Sequence, residues 1–104
     1  MAKSRRVELD TKLREILGSG NVYYRAPESI KMHYPAFRYQ ISGMNQVHAD
    51  NRKYINTIEY EVIHIDKDPD NDVYEIMNEE FDKCRFARRY MSDNLVHDVF
   101  YVYW

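Results

Sequence analysis

The clearest pattern in the sequence is the alternation of side chains over Ile55–Ile65. Successive side chains of a β-strand point to opposite faces, so a period of two residues indicates a strand. One face holds Ile58, Tyr60, Val62 and His64, and the other holds Thr57, Glu59, Glu61, Ile63 and Ile65. Because an isolated strand is not stable in water, the pattern predicts a sheet.

Shorter patterns on both sides of this strand predict the remaining elements. Glycine past the end of a helix usually stops it, and Gly18 and Gly20 follow the first helical pattern. Asp72 and Glu75 have the spacing of a capping box at the start of a second helix. We expect helices over Val7–Leu17 and from Asp72 to about Lys83, a short extended piece over Asn21–Tyr24, and further strands over Ala36–Ile41, Cys84–Met91 and Leu95–Trp104.

These elements follow one another in the order α-β-β-α-β-β. Adjacent strands with helices packed on one side define the α+β class. The chain has 104 residues, which is the size of one domain and allows only a single thin core. We therefore expect one domain over residues 1–104, built as a small, mostly antiparallel sheet with two helices packed on it.

The segment Ser42–Tyr54 lacks a clear period and is rich in polar residues. It is expected to be a long loop, and loops of about 12 or more residues in a compact domain are usually functional or flexible. We therefore expect this segment to contact a partner. Its candidate contact residues are Asn45, His48, Asp50, Asn51 and Arg52.

The chain contains ten tyrosines, and a core of this size cannot enclose so many large rings. Tyr and Trp combine an apolar ring with a polar tip, which suits contact surfaces between proteins. Tyrosine also has a high propensity for strands, so strand formation is an equally good explanation. The last residues form an aromatic run that we expect to be buried or docked. Tyr101, Tyr103 and Trp104 are therefore further candidate contact residues.

The charge balance argues against a protein that binds nucleic acid through phosphates. The formal net charge is -2 and the isoelectric point is about 6.1, whereas such proteins are usually basic. One stretch, Arg85–Tyr90, does interleave arginines with aromatic rings, as single-strand binders do. On a strand these side chains divide between two faces, and we expect the arginines to pair with Glu59, Glu61 or a neighbouring subunit. Contact with nucleic acid is the alternative interpretation.

The sequence contains no recognisable catalytic or metal-binding constellation. Its four histidines and Cys84 lack the spacing of metal ligands or of a nucleophile with its base. Aspartates at alternate positions of residues 66–72 resemble the start of a calcium loop, but Asn71 and Met77 stand where that loop needs Gly and Glu. With three glycines, a phosphate-binding loop is nearly excluded. We expect neither catalysis nor a bound metal or cofactor.

Cysteine content and hydropathy indicate where the protein works. A single cysteine fits a reducing compartment. No stretch approaches the roughly 20 apolar residues of a membrane span, and the basic start of the chain is followed by a polar run. We expect a protein made in the cytoplasm, without export and without a membrane.

Three segments of the chain resemble a known family. They are NVYYRAPESIKMHYPAFRYQI at residues 21–41, ADNRKYINTIEYEVIHIDKDPDND at residues 49–72 and CRFARRYMSDNLVHDVFYVYW at residues 84–104. Their order and local sequence are similar to those of the small tail terminator, or tail completion, proteins of long-tailed bacteriophages. The resemblance runs over roughly residues 12–104. It includes no catalytic signature.

The resemblance implies a structural role in the tail or neck of the virion. Such proteins are small α+β domains that assemble in the host cytoplasm, usually as a hexameric ring on the finished end of the tail tube. They stop tube growth and offer the face onto which the head connector docks. The implied partners are further copies of the chain, the tail tube protein, the head completion protein, and genome DNA that passes through the lumen without specific recognition. A connector ring of a neighbouring layer is the alternative.

Overall fold

Two helices and five strands make up the part of the chain that the computed structural model describes. This part comprises residues 5–26, 31–49 and 52–104, with the backbone alone for residues 5, 43–49 and 52–57. The elements are α1 (Arg5–Leu17), β1 (Val22–Tyr24), β2 (Ala36–Ala49), β3 (Arg52–Asp66), α2 (Val73–Glu80), β4 (Cys84–Ser92) and β5 (Leu95–Tyr103). The predicted α+β class is confirmed.

The observed order, α-β-β-β-α-β-β, contains one strand more than the predicted order. The predicted short extended piece is β1, which pairs in parallel with β2. The carbonyl of Asn21 accepts a hydrogen bond from the Phe37 N–H at 3.0 Å. Three residues are too few to show a period in the sequence, so this strand is defined by its pairing with β2.

The predicted loop at Ser42–Tyr54 is wrong, because this segment forms the far half of a long β-hairpin. β2 continues to Ala49 and β3 begins at Arg52. The hairpin runs on past β5, whose pairing with β3 begins at Glu59. We call the projecting part, residues 43–49 and 52–57, the hairpin arm.

Two register irregularities explain why the sequence of the hairpin arm lacks a strand period. The pairing of β2 with β3 shifts between Ile41 and Gly43, and again between Val47 and His48. An extra residue in one strand of a pair exchanges the faces of all residues beyond it. A search for strict alternation therefore fails here even though the backbone is paired.

The five strands lie in the order β1-β2-β3-β5-β4, and all pairs except β1 with β2 are antiparallel. Both helices pack on one face of this sheet, and apolar side chains of the helices and of the strands meet there. The buried core consists of Leu9, Leu13, Val22, Phe37, Tyr39, Tyr60, Val62, Val73, Met77, Phe81, Phe100 and Val102.

The second helix packs as predicted but begins differently. Val73, Met77 and the following Phe81 are buried against the sheet. The capping box is wrong, since the side chain of Asp72 makes no cap hydrogen bond. Asn71 supplies an acceptor instead, and its Oδ1 takes the N–H of Val73 at 3.1 Å.

An ion pair joins β4 to β5 on the helix-covered face. Arg89 Nε donates to Asp98 Oδ1 at 2.6 Å, and Nη2 donates to Oδ2 at 3.1 Å. Asp98 is only 1% exposed, so its carboxylate depends on this partner. The hydrogen bonds to Asp98 raise the pKa of Arg89. Arg89 Nη1 also donates to the carbonyl of Pro69 at 2.9 Å, which ties the turn before α2 to the sheet.

A second polar cluster fastens α1 to β2. Tyr39 Oη donates to Asp10 Oδ2 at 2.6 Å, and Arg14 Nε donates to Asp10 Oδ1 at 2.6 Å. Arg6 Nη1 donates to the Tyr39 hydroxyl at 3.3 Å. Burial, followed by the hydrogen bond to Asp10, raises the pKa of Tyr39, which therefore stays neutral and acts as a donor.

Candidate subunit interface

The sheet face opposite the helices is covered by no helix of the described residues. Strand register places on it the side chains that alternate with the core positions. Ala36, Ile65 and Val99 on this face are buried. We call the rest of this surface the open face, and its exposed or half-buried members are Tyr23, Arg38, Gln40, Glu59, Glu61, Ile63, Arg85, Arg88, Tyr90, His97, Tyr101 and Tyr103.

One row of the open face crosses four strands. The register aligns Gln40 of β2, Glu61 of β3, Tyr101 of β5 and Arg85 of β4. Tyr101 Oη donates to Glu61 Oε2 at 3.3 Å, and Gln40 Nε2 donates to Glu61 Oε1 at 3.4 Å. The Arg85 guanidinium lies 4.8 Å from the centroid of the Tyr101 ring, a distance typical of a cation–π contact. The ring is therefore held from both sides.

The next row is organised around the carboxylate of Glu59. Tyr103 Oη donates to Glu59 Oε2 at 2.6 Å, and Ser42 Oγ donates to Oε1 at 2.7 Å. The hydrogen bond from Tyr103, then that from Ser42, lowers the pKa of Glu59, and the charge of Arg85 adds to this effect. The same bond raises the pKa of Tyr103. Glu59 is thus held ionised as an acceptor.

These contacts make the open face a fixed aromatic surface. Tyr101 and Tyr103 are half-buried, and both hydroxyls already have acceptors on β3. A ring held in one rotamer loses little conformational entropy when a partner covers it. The arrangement is suited to binding a protein surface.

No metal-binding group is formed by the residues that the structure describes. The aspartates that resemble a calcium loop are used in the turn before α2. Asp66 Oδ1 accepts the N–H of Asp68 at 3.2 Å, and Asp68 Oδ1 accepts that of Asp70 at 2.9 Å. Side-chain acceptors of this kind are typical of turns.

The structure separates the predicted contact residues. Asn45 and His48 lie on β2 and Arg52 lies on β3, all in the hairpin arm, where only the backbone is described. Asp50 and Asn51 lie outside the described residues. Asn45, His48 and Arg52 are therefore part of a strand pair that extends beyond the paired end of β5, where Tyr101 and Tyr103 lie.

The aromatic run of β5 divides between the two faces of the sheet. Tyr101 and Tyr103 lie on the open face, whereas the Trp104 ring packs on the core side, 5.8 Å from the Phe81 ring. The Trp104 N–H donates to the carbonyl of Ile58 at 3.1 Å and prolongs the pairing of β5 with β3. Trp104 thus contributes to the core of the subunit.

The arginines of β4 have partners that the sequence only partly predicted. The positive charge of Arg85 helps to lower the pKa of Glu59, one of the two glutamates predicted to pair with these arginines. Arg88 lies 5.8 Å from the centroid of the Tyr90 ring. Arg89 instead pairs with Asp98 of β5, the residue directly opposite it in the register.

A cavity of about 170 Å³ lies on the other side of the sheet, between the end of α1 and the start of α2. Leu17, Phe37, His64 and Asp66 are among its lining residues. His64 is buried, and its Nδ1 atom has no hydrogen-bond partner among the described residues. Burial lowers the pKa of His64 and is the largest effect on it. The negative charges of Asp66, Asp98 and Asp72 act in the opposite direction but do not cancel it.

Replacing His64 with leucine is expected to flatten the dependence of stability on pH. The folded-state pKa of His64 is lowered, so the unfolded chain binds more protons, and stability is lost as pH falls below the unfolded value of about 6.5. The wild type should lose more free energy of unfolding than His64→Leu between about pH 7.5 and about pH 5.5. Urea unfolding at both pH values measures this. Equal losses in the two proteins would show that His64 is not the group responsible.

Neither helix in the part of the chain that the structure describes is long and apolar enough to cross a membrane. Comparison with known proteins adds no assignment: no protein-family model matches the sequence, and no curated protein matches it.

Proposed function

We propose that this chain is a structural protein of a long-tailed bacteriophage that caps the tail tube as a hexameric ring and provides the docking face for the head connector. The resemblance to tail terminators over roughly residues 12–104 supports this job. In this role the protein carries out no reaction. Its partners are its own copies, the tube protein and the connector, and genome DNA passes through its lumen.

The observation that carries the proposal is the pre-organised open face, over which no helix of residues 5–26, 31–49 and 52–104 packs. A sheet that faces water on one side normally presents polar side chains there. Here Tyr101 and Tyr103 are held in place by Glu61 and Glu59. Tyrosine is enriched at protein–protein interfaces and is frequent among the residues that dominate their binding energy. A ring subunit needs such surfaces.

The size of the chain is compatible with a ring. The accessible surface is 7020 Å², and a standard interface buries about 800 Å² on each partner. A subunit with two neighbours would bury about a quarter of its surface in this way. The rest stays available for the tube, the connector and the lumen.

Tail assembly in vitro tests the proposed function. Labelled protein is added to growing tail tubes and then imaged by electron microscopy. We expect label at one end of each tube, together with a halt in elongation. Label on isolated connectors but not on tubes would assign the chain to a connector layer. If neither structure is bound and the protein shifts DNA with steep salt dependence, the proposal is wrong and Arg85–Tyr90 becomes the functional surface.

A further inference from the structure

Four strand edges of the described chain have no neighbouring strand. β1 offers three residues, and β4 offers its full length. β2 is paired by β1 only up to Tyr39, so its outer edge is unpaired from Gln40 to Ala49. β3 has an unpaired edge along the hairpin arm, beyond its pairing with β5. Unpaired edges are templates for pairing with another chain unless they are protected.

Charge distinguishes the three longer edges. β4 carries three arginines and a register irregularity between Phe86 and Arg88, and the arm segment of β3 begins with Arg52 and Lys53. Charges and bulges of this kind are the usual protection of an edge. By contrast, β2 contains no Asp, Glu, Lys or Arg from Tyr39 to Ala49, in a chain that is 31% charged. The outer edge of β2 lacks charge protection.

Backbone hydrogen bonds indicate which amides of β2 face outward. Ile58 exchanges hydrogen bonds with Trp104, so its polar groups point toward β5 and away from β2. Its register partner on β2 is Met44. In an antiparallel pair, such a non-hydrogen-bonded position directs its own N–H and C=O outward, and the direction repeats every second residue. Met44 and Gln46 therefore present free backbone groups along the outer edge.

We propose that the outer edge of β2, from Gln40 to Ala49, pairs with β4 of a second copy of this chain. The proposal rests on the proposed function, since it identifies the contact between neighbours in the ring. Like charges oppose two copies of β4 pairing with each other, and they oppose β4 pairing with the arm segment of β3. The uncharged edge of β2 is the remaining long edge that can receive β4. Its unpaired length is close to that of β4.

This pairing uses two different edges of the same molecule. A contact between unlike surfaces repeats from copy to copy and closes into a ring when the rotation allows. The sheet of one subunit would continue into the next, and the open faces would line up around the ring. β4 would lose its exposed edge in the process.

A proline at position 46 tests the edge of β2. Gln46→Pro removes an outward N–H without removing a hydrogen bond to β3. We expect a folded protein whose association constant falls at least about tenfold, as expected when about 1.4 kcal/mol of pairing is lost. Gln46→Ala keeps the N–H and serves as the matched control. Light scattering gives the association constant, and urea unfolding checks the fold.

Two substitutions of opposite charge at position 46 test the same edge if the proline variant does not fold. Gln46→Lys would oppose the arginines of β4, and Gln46→Glu would attract them. We expect weaker association for the lysine variant and equal or stronger association for the glutamate variant. Equal association of both variants with the wild type would overturn the proposal.

Disulfide cross-linking identifies which strand pairs with the outer edge of β2. In a Cys84→Ser background, copies with Met44→Cys are mixed with copies that carry Phe86→Cys, Arg88→Cys or Tyr90→Cys. A mixed dimer from at least one combination supports the proposal. Cross-links between two Met44→Cys copies alone would show β2 pairing with β2, against it. If the wild type caps tubes but no mixed dimer forms, the edge assignment fails while the proposed function stands.

Discussion

Replacing Arg89 with methionine is expected to lower the free energy of unfolding by about 3 kcal/mol. The substitution leaves the Asp98 carboxylate at 1% exposure without its partner, and breaking a buried ion pair from one side typically costs about 3–5 kcal/mol. The lower end applies because the Arg89 side chain is 42% exposed. The variant also loses the hydrogen bond to Pro69. Urea unfolding at neutral pH measures the change.

The double variant Arg89→Met/Asp98→Asn is the control for this experiment. Without a buried charge, it should recover part of the lost stability, because most of the penalty comes from the carboxylate left unpaired. The single variant Asp98→Asn completes a double-mutant cycle with these two variants and the wild type. A loss below about 0.5 kcal/mol in Arg89→Met, the size of an ordinary surface substitution, would contradict the ion pair's structural role.

Replacing Tyr101 with alanine is expected to weaken binding of the protein to tail tubes by about 30-fold. Residues that dominate an interface cost about 2 kcal/mol or more when truncated, which corresponds to that factor. Tyr101 occupies the centre of the row from Gln40 to Arg85. The domain should stay folded, because Tyr101 lies outside the buried core. Co-sedimentation with tail tubes at a series of tube concentrations gives the association constant.

Two variants separate this effect from general loss of tyrosine. Tyr74→Ala removes a ring that is 49% exposed on α2, away from the open face, and should leave association unchanged. Tyr101→Phe removes only the hydroxyl bonded to Glu61 and should have a small effect. If Tyr74→Ala weakens association as much as Tyr101→Ala, the open face is not the interface.

The sequence predicted the part of the sheet where alternation is strict. Over Tyr60–Ile65 each residue has a neighbour on both β2 and β5 without a register shift, so the period of two separates the two faces of the strand. Tyr60 and Val62, which the sequence analysis placed on one face, are buried. Residues 43–49 and 52–54 of the hairpin arm could not be found in this way, because two register shifts interrupt the period. In that segment, pairing between the two strands determined the structure although the local composition is typical of a loop.

For the open face, the sequence predicts which residues share a face of each strand but not which of them contact each other across strands. Alternation places Glu59 and Glu61 on one face of β3, and it places Tyr101 and Tyr103 on one face of β5. What the sequence lacks is the register that sets Glu59 opposite Tyr103 and Glu61 opposite Tyr101. Pairing between residues about 40 positions apart is a tertiary property.

The mass of the purified protein in solution is the most direct test of the central claim, that this chain acts by ring assembly. Light scattering would be measured on the protein alone and then with tail-tube subunits. We predict a species of about six subunits, formed alone or on tube ends, as for a closed cyclic oligomer. A protein of 12.6 kDa that stays monomeric in both experiments would contradict the account.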